Sequence, residues 1–359
     1  MMTKYLFALC MLCPIIGIAQ QDTTVSPLQF SGYAEVYYAY DFNQPEDHNR
    51  PSFLYSHDRH NEFNLNLGFV KVAYQKERVR ANLTFAAGTY MNANYAAEPG
   101  VLKNLYEAFA GIKLSRKNNL WVDAGIFSSH LGFESAISKD CYNLTRSLAA
   151  ENSPYYEAGL KLTFISADHK WLLSGLVLNG WQHIQRPDGN NTPAFGTQVT
   201  FKPGDKITLN YSTFIGNDKP DDAKQMRHFH NLYGQFMLSD KFHVIAGFDM
   251  GFEQTSAGSD QYAQWYSPVL IAKYVFDDKW SITGRGEYYA DPNEVIITTG
   301  TENGFQTSGF SLGVDYRILE NAVWKVEGRM LNGKDDIFLK EKAAVHSNTC
   351  LTTSLAVSF

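Results

Sequence analysis

The sequence predicts an all-β fold, a transmembrane antiparallel up-and-down β-barrel of about 16 strands. Three observations predict it: long segments of alternating apolar and polar residues, connections that are alternately short and long, and a heavy aromatic content. The short connections are tight polar turns, such as 76–78, 203–205, 239–240 and 277–279. The long connections are polar loops, such as 43–61, 129–154, 181–193 and 332–348. Outer-membrane barrels have this arrangement, with short periplasmic turns and longer extracellular loops.

The composition fits a membrane barrel and argues against a nucleic-acid partner. The chain has 359 residues, a formal net charge of -6 at pH 7 and 44% hydrophobic residues. Its 21 Tyr and 24 Phe could form aromatic girdles at two membrane interfaces, although aromatic-rich soluble cores would also use them. The sequence has no basic block that would neutralise phosphates, so we expect no nucleic acid among the partners.

Residues 1–19 have the pattern of a signal peptide. An apolar run follows Lys4, and the small residues Gly17 and Ala19 predict cleavage after Ala19. The run is too short to be a comfortable membrane anchor. We expect residues 20–359 to form a single barrel domain in the outer membrane of a Gram-negative bacterium, because no later stretch is long and apolar enough for a transmembrane helix.

Strand-like alternation is clearest near the start of the mature chain. Phe30, Val36 and Tyr38 fall on one face of the first strand, whereas Glu35 and Asp41 fall on the other. The same two-faced pattern recurs along the chain, in segments long enough to cross a bilayer at a tilt. The expected strands are 28–42, 62–75, 79–91, 105–114, 120–128, 155–165, 171–180, 194–202, 206–216, 228–238, 241–254, 261–276, 280–290, 305–318, 323–331 and 349–359.

Three of these strands have unusual features. Strands 62–75 and 171–180 are apolar on both faces for part of their length, and a β-bulge near Phe69-Val70 would explain the first. Strand 349–359 ends on an aromatic residue, Phe359. In a closed barrel this strand pairs with the first one, and its aromatic end resembles the signal read by the outer-membrane barrel assembly machinery.

The polar faces carry many charges, which predicts a water-filled interior. A membrane barrel must close and must keep its lipid face apolar, so charged side chains lie inside. About 16 strands leave an aqueous channel, whereas eight do not. The expected pore-lining residues are Glu35, Arg80, Glu107, Lys113, Asp123, Glu157, Lys161, Asp249, Glu253, Arg285, Glu287, Asp315, Arg317, Glu327 and Arg329. Both signs occur among them, so we expect at most weak ion selectivity.

The connection 129–154 is the longest and follows the fifth expected strand. Two arrangements fit the sequence: the loop folds into the lumen and narrows it, or it lies over the mouth as a surface loop. In the first arrangement, its charges would face wall residues such as Arg80 and Arg285. The candidate residues of this constriction loop are Glu134, Lys139, Asp140, Arg146 and Glu151.

The reactive residue types form no recognisable catalytic or metal site. The segment 57–60 and the pair His228 and His230 lack zinc-site spacing, so exposed loop and rim histidines are expected. No nucleophile elbow or phosphate loop occurs. We therefore expect no enzyme, no cofactor and no metal. Cys141 and Cys350 are the cysteines of the mature chain, and the sequence leaves open whether they pair or stay free.

Short stretches in a fixed order resemble one known family. They are Ser31-Gly32-Tyr33 with Glu35 and Tyr37-Tyr38, Asn61-Glu62-Phe63-Asn64-Leu65, Gly88-Thr89-Tyr90, Glu107-Ala108, Asp123-Ala124-Gly125 with Ser128, Gly132-Phe133-Glu134, Pro154-Tyr155-Tyr156-Glu157-Ala158-Gly159, and Leu178-Asn179-Gly180-Trp181. Together they resemble the OmpL-like outer-membrane β-barrel porins (β-barrel porin type 2). The resemblance implies an outer-membrane porin, and it implies no catalytic residues and no particular solute.

The function expected from these observations is passive diffusion of small hydrophilic solutes through a channel. The alternative is a non-conducting barrel that acts as a structural, adhesive or binding protein, and a barrel enzyme such as a lipid hydrolase is a third class. Outer-membrane lipids, small hydrophilic solutes and the barrel assembly machinery are the expected partners. A homotrimer is expected only by analogy with general porins.

Overall fold

The computed structural model describes residues 26–359. The predicted signal peptide and its cleavage site after Ala19 lie outside the described residues. Within residues 26–359, no helix combines the length and the apolar character needed to cross a membrane.

Sixteen antiparallel strands close into one barrel, as predicted. The barrel strands are β1 (Leu28–Asp41), β2 (Phe63–Lys76), β3 (Val79–Ala87), β4 (Leu105–Lys113), β5 (Asn119–Ser128), β6 (Tyr156–Ile165), β7 (Trp171–Leu178), β8 (Ala194–Gly204), β9 (Ile207–Gly216), β10 (Arg227–Met237), β11 (Phe242–Gln254), β12 (Tyr262–Val275), β13 (Trp280–Asp291), β14 (Phe305–Leu319), β15 (Ala322–Gly333) and β18 (Ser347–Ser358). A separate short hairpin, β16 (Phe338–Lys340) and β17 (Ala343–Val345), lies in the long connection before β18. The helices α1 (Thr89–Asn94) and α2 (Leu148–Glu151) lie in connections, with three short 3-10 turns at Gly100–Asn104, Ser138–Asp140 and Asp221–Ala223.

The last strand closes the ring against the first. Tyr33 lies opposite Ser358 in the β1–β18 pair, and Asp41 lies opposite Cys350. At the seam, the backbone N–H of Gly32 donates to the carbonyl of Phe359 at 2.7 Å, and the N–H of Phe359 donates to the carbonyl of Gly32 at 3.0 Å. Closure leaves no unpaired strand edge in the lipid, where unpaired backbone groups would be costly.

The two faces of the strands have opposite character. On β1, the side chains of Glu35 and Asp41 are buried inside the barrel, whereas Val36 is exposed on the outer surface. Aromatic pairs stack on this outer surface beside the short turns, with ring centroids 4.2 Å apart for Trp171 and Phe201. Trp280 and Tyr316 form a second such pair at 4.5 Å, and aromatic pairs at this level are typical of the girdle at a membrane interface.

The outer face predicts a strong position dependence for charged substitutions. Leu83 on β3 is 43% exposed toward the lipid, whereas its neighbour Asn82 is 8% exposed inside the barrel. Leu83→Arg should lower the free energy of unfolding by about 2–4 kcal/mol, because the guanidinium would enter the apolar layer. Asn82→Arg should be tolerated and should change ion preference instead. Urea titration of the folded protein in lipid vesicles measures the free energy of unfolding of both variants. Equal stability of the two variants would contradict the two-faced barrel.

Two local predictions were wrong. The expected strand 79–91 ends at Ala87, because Gly88 has φ 136° and a Cβ there would overlap the backbone of Asn66, and α1 follows. The bulge in β2 lies at Asn66 and not near Phe69-Val70, since Glu35 pairs with Leu67 and Val36 with Leu65. The ends of the other predicted strands lie within two residues of the observed ones.

The extracellular half of the barrel interior is filled by connections that fold inward. Phe53 of the loop between β1 and β2 lies between Phe305 of β14 and Phe338 of β16, with ring centroids 4.8 and 6.0 Å away. These rings belong to a buried apolar cluster that also includes Leu148 and Trp265. The inward connections therefore share an apolar core with inward-facing residues of the barrel strands.

Candidate functional site

The connection between β5 and β6, residues 129–155, crosses the lumen and contacts several distant strands. We call it the inward loop. Its first residues are held on the side of β6 and β9. His130 Nδ1 lies 2.9 Å from Glu157 Oε2 and His130 Nε2 lies 2.8 Å from the carbonyl of Thr213, while Ser212 donates to the His130 carbonyl at 2.9 Å. These contacts fix the start of the loop against the wall.

The middle of the inward loop reaches β1 on another part of the wall. Ser138 donates its hydroxyl to Glu35, and the hydroxyls of Ser138 and Tyr33 are 3.1 Å apart. The same Glu35 carboxylate accepts a hydrogen bond from Asn66 at 3.0 Å, and His57 Nε2 lies 3.0 Å from it. A single buried carboxylate thus joins the barrel wall, the bulge of β2 and two loops.

The last part of the inward loop is anchored to β13 and β15. Glu327 accepts hydrogen bonds from the backbone N–H of Thr145 at 2.9 Å and from its hydroxyl at 2.6 Å. Arg285 donates to the carbonyl of Thr145 at 2.8 Å, and Glu287 accepts from the N–H of Leu148 at 2.6 Å. Because the donors and acceptors of the loop backbone are satisfied by charged wall groups, this segment is held firmly across the lumen.

The wall groups that hold the loop also form an ion-pair network. Arg285 lies 3.2 Å from both Glu287 and Glu327, and Arg329 lies 2.8 Å from Glu287. The side chains of Arg285, Glu287 and Glu327 are fully buried, and Arg329 is nearly so. At this level, the loop covers the charged wall of β13–β15.

Cavities lie on both sides of the inward loop. On the extracellular side, a cavity of about 630 Å³ is bounded by polar groups such as Arg50 and Asp58 and by Phe53. On the periplasmic side, a cavity of about 470 Å³ is bounded by Lys139 of the loop and by Arg317 of β14. The loop therefore lies between these two cavities along the barrel axis.

The whole described barrel matches one protein family. A family model described as beta-barrel porin-2, OmpL-like, matches residues 27–359. The chain belongs to this family. It is an outer-membrane porin of a Gram-negative bacterium. No curated protein sequence matches the chain.

Solved structures of outer-membrane channels share the fold of this porin. The anion-selective porin from Comamonas acidovorans has a TM-score of 0.61 at 8% identity, over 92% of this chain and 99% of that one. OmpT of Vibrio cholerae has a TM-score of 0.60 at 10% identity, over 92% and 97%. The outer membrane channel DcaP of Acinetobacter baumannii has a TM-score of 0.59 at 10% identity, over 92% and 97%. At these identities, the likeness concerns the fold.

The charged residues predicted to line a pore of this porin lie on the inward faces of their strands. The buried ones are Glu35, Asp123, Glu157, Asp249, Glu253, Arg285, Glu287, Asp315, Glu327 and Arg329. The remaining five are more accessible: Arg80, Glu107, Lys113 and Lys161 are half-buried, and Arg317 is exposed at the periplasmic rim. Their role as a pore lining stays a prediction.

The five charged residues predicted on the loop fall into two groups. Glu134, Arg146 and Glu151 have buried side chains, and Glu134 lies 3.9 Å from Arg285. Lys139 and Asp140 instead face the periplasmic cavity.

Arg80 does not face the loop, contrary to the expected arrangement. It donates to Asp123 at 2.7 and 2.5 Å across β4. Gly111 lies between them, and a Cβ there would overlap the Asp123 carboxylate. Absence of a side chain on the intervening strand therefore gives Arg80 a nearer partner than the loop.

The histidines of 57–60 were expected to be exposed, and this prediction was wrong. His57 is fully buried beside Glu35, and His60 is buried with its Nδ1 accepting from the N–H of Asp41 at 2.9 Å. The strand pattern carries no signal for such contacts, because they join a loop to a distant strand. Among residues 26–359, no group of three or more His, Cys, Asp or Glu is placed to hold a metal ion.

Cys141 and Cys350 are both free and buried. Cys141 lies on the inward loop, where its Sγ accepts from the N–H of Ser135 at 3.3 Å. Cys350 lies on β18, opposite Asp41. The disulfide that the compartment would allow is not formed.

Glu151 on α2 is a carboxyl group with a strongly perturbed titration. It accepts hydrogen bonds from the N–H groups of Tyr55 at 2.9 Å and Ser56 at 3.4 Å. Burial raises the pKa of Glu151 to about 7, and these hydrogen bonds and the charge of Arg329 offset this only in part. Since the folded pKa lies above the ordinary value of 4.5, the folded protein binds this proton more tightly than the unfolded chain does.

The sign of this shift predicts a pH-dependent gain from Glu151→Gln. The contribution of Glu151 to stability is full below its ordinary pKa and is lost as the pH rises through about 7. At pH 8, we expect Glu151→Gln to be more stable than the parent by about 1–3 kcal/mol, and equal to it near pH 4. Urea unfolding followed by tryptophan fluorescence at both pH values measures this. The exposed Glu302→Gln is the control, and a Glu151→Gln profile that parallels the parent profile would contradict the shifted pKa.

Proposed function

We propose that this porin provides a water-filled path for passive diffusion of small hydrophilic solutes, narrowed by the inward loop. The observation that carries this proposal is the polar interior of a closed barrel of sixteen strands, with cavities on both sides of the loop. A barrel of this strand number is wide enough for an aqueous channel. Such a path works by shape and charge alone and requires no catalytic group.

In this proposal, the inward charged residues line the path and the loop sets its narrowest part. Lys139 and Asp140 face the periplasmic cavity and would contact passing solute. Glu134, Arg146 and Glu151 are buried and would act by holding the shape of the loop. Their contacts are short and charge-assisted, which supports a fixed constriction.

One observation favours a second candidate function, a barrel whose lumen is closed and whose extracellular loops bind a partner. The network of Arg285, Glu287 and Glu327 is fully buried, and an apolar cluster around Phe53 fills the extracellular half. A barrel of this kind would conduct no ions. Binding would then involve the extracellular connections, such as 43–61.

We also propose that the barrel assembles as a homotrimer in the outer membrane. OmpT of Vibrio cholerae, which shares the fold, has a trimer form. The broad apolar outer face of this barrel is compatible with contacts between barrels. Mass determination of the detergent-extracted protein by light scattering tests this, and a mass of one chain would contradict it.

Planar-bilayer recording tests the diffusion path. Purified protein should insert in discrete conductance steps in KCl, because water and ions pass the loop. Liposomes containing the protein should also swell in small sugars and not in large ones. A bilayer that stays sealed at all voltages, with liposomes that do not swell, would contradict the path and favour the closed barrel.

A further inference from the structure

The inward-facing charges are sorted along the barrel axis. Close to the periplasmic turns, within four residues of the strand ends, the inward charges are mostly basic. They are Arg80, Lys113, Lys161, Lys202, Lys273 and Lys325, with Arg317 at the rim. Within residues 26–359, the carboxylates on the inward strand faces at this level are Asp123 and Asp315, and Asp140 of the inward loop also faces this space. Most other inward carboxylates, such as Glu35, Asp249 and Glu287, lie farther from the periplasm.

The two periplasmic carboxylates do not neutralise these cations. Asp123 is taken up by Arg80, and Asp315 lies 3.2 Å from Lys273 and 3.3 Å from Lys325. In the described part of the chain, the side chains of Lys113, Lys202 and Arg317 make no ion pair and no hydrogen bond. Excess positive charge therefore remains in this half of the lumen.

In the acidic half, by contrast, side chains of the inward connections pair with several of the wall carboxylates. His57 lies 3.0 Å from Glu35 and His130 lies 2.9 Å from Glu157. The wall itself supplies Arg285 between Glu287 and Glu327. The wall cations Lys113, Lys202 and Arg317, which have no ion-pair partner within residues 26–359, therefore lie on the periplasmic side of the inward loop.

Open space accompanies two of the unpaired cations, Arg317 and Lys202. The periplasmic cavity of about 470 Å³ is bounded by Arg317 and by charged groups of both signs, which are Lys139, Asp140, Lys273, Asp277, Asp278, Lys279, Asp315, Glu320 and Lys325. A second cavity of about 420 Å³, beside β8 and β9, is bounded by Lys202 together with the polar side chains of Thr200 and Thr208. Each is large enough for a small polyvalent anion, and hydroxyl and amine donors are available to it.

We propose that the periplasmic half of the lumen is an anion vestibule, which concentrates small polyvalent anions of the phosphate or carboxylate class below the inward loop. A lumen lined by one sign of charge raises the local concentration of the opposite ion. The vestibule gives the channel a preference for anions, and its position at one end makes the current depend on the sign of the voltage. The expected anion preference of the current rests on the diffusion path proposed above. The expected anion binding does not.

Binding of pyrophosphate to the protein in lipid-free detergent tests the vestibule without conductance. Titration calorimetry at low ionic strength should show binding that salt weakens, because these interactions are screened within about 10 Å at 0.1 M salt. The triple variant Lys113→Gln, Lys202→Gln, Arg317→Gln should bind pyrophosphate about tenfold or more weakly. The matched control is Arg116→Gln, Lys117→Gln, Lys206→Gln, which removes the same charge from exposed periplasmic turns and should bind like the parent.

Reversal potentials in a KCl gradient test the transport consequence. The parent and the control triple should both prefer chloride, and the vestibule triple should lose this preference. Heat-modifiable gel migration shows whether the vestibule triple folds. If it does not fold, the pyrophosphate affinity and reversal potential of Lys202→Gln are compared with those of the parent. Equal pyrophosphate affinity in both triples, or a cation preference in the parent, overturns the vestibule. A sealed bilayer together with pyrophosphate binding instead overturns the diffusion path and leaves the vestibule supported.

Discussion

Replacing residues 136–147 of the inward loop with a short Gly-Ser linker is expected to raise single-channel conductance about twofold or more. This segment contains Ser138 and Thr145, whose hydrogen bonds to Glu35 and Glu327 hold the loop across the lumen. Without it, the part of the loop that lies between the extracellular and periplasmic cavities is removed, and the wall charges become solvated. Planar-bilayer recordings measure the conductance, and swelling of liposomes in sugars of increasing size measures the exclusion limit.

The control for the loop replacement is a linker of the same composition at residues 256–260. This segment forms the tip of the connection between β11 and β12, and most of it is exposed. Its replacement should leave conductance unchanged. Folding of both variants is checked by heat-modifiable gel migration. A folded loop variant with the parent conductance would show that the inward loop does not limit the path.

Glu327→Ala is expected to lower the free energy of unfolding by about 3 kcal/mol or more. Glu327 accepts two hydrogen bonds from Thr145 and lies 3.2 Å from Arg285, and both side chains of this pair are fully buried. Its removal leaves the buried guanidinium with the carboxylate of Glu287 at 3.2 Å and the more distant carboxylate of Glu134 at 3.9 Å. Uncompensated buried charge is the main cost of breaking such a pair. Urea unfolding in lipid vesicles measures the change.

Two further variants separate this effect from a general loss of charge. Glu320→Ala removes an exposed carboxylate in the turn between β14 and β15 and should be neutral within about 0.5 kcal/mol. The double variant Arg285→Met, Glu327→Leu removes the pair together and should recover part of the lost stability. If Glu327→Ala is as stable as the parent, the ion-pair network does not hold the loop.

The strands could be predicted from the sequence because successive residues of a strand alternately face lipid, which requires apolar side chains, and enclosed water, which favours polar ones. Leu83 and Asn82 are neighbours in the chain and lie on opposite faces, so the local pattern alone assigns them. Alternation cannot detect a departure from regular backbone. It therefore extended β3 past Gly88, whose positive φ ends the strand, and it placed the bulge of β2 near Phe69 instead of Asn66.

The contacts of the candidate site could be predicted only in part. Inward charges such as Glu287 and Arg329 follow from the strand period. Their partners do not, because the loop residues His57, His130 and Thr145 reach walls that are far away in the sequence. A loop inside the lumen and a loop over the mouth both require polar residues at 129–154, so the sequence is the same for both arrangements. The choice between them depends on contacts with distant strands, which the strand periodicity does not encode.

The seam between Gly32 and Phe359 also has a consequence for biogenesis. Since β18 supplies the final side of the wall, a nascent chain still lacking its last segment keeps two open edges, one on β1 and one on β15. Such an intermediate is prone to wrong pairing until synthesis has finished. If the chain is exported before it folds, this wrong pairing is avoided. The barrel then closes only after β1 and β18 have both reached the same compartment.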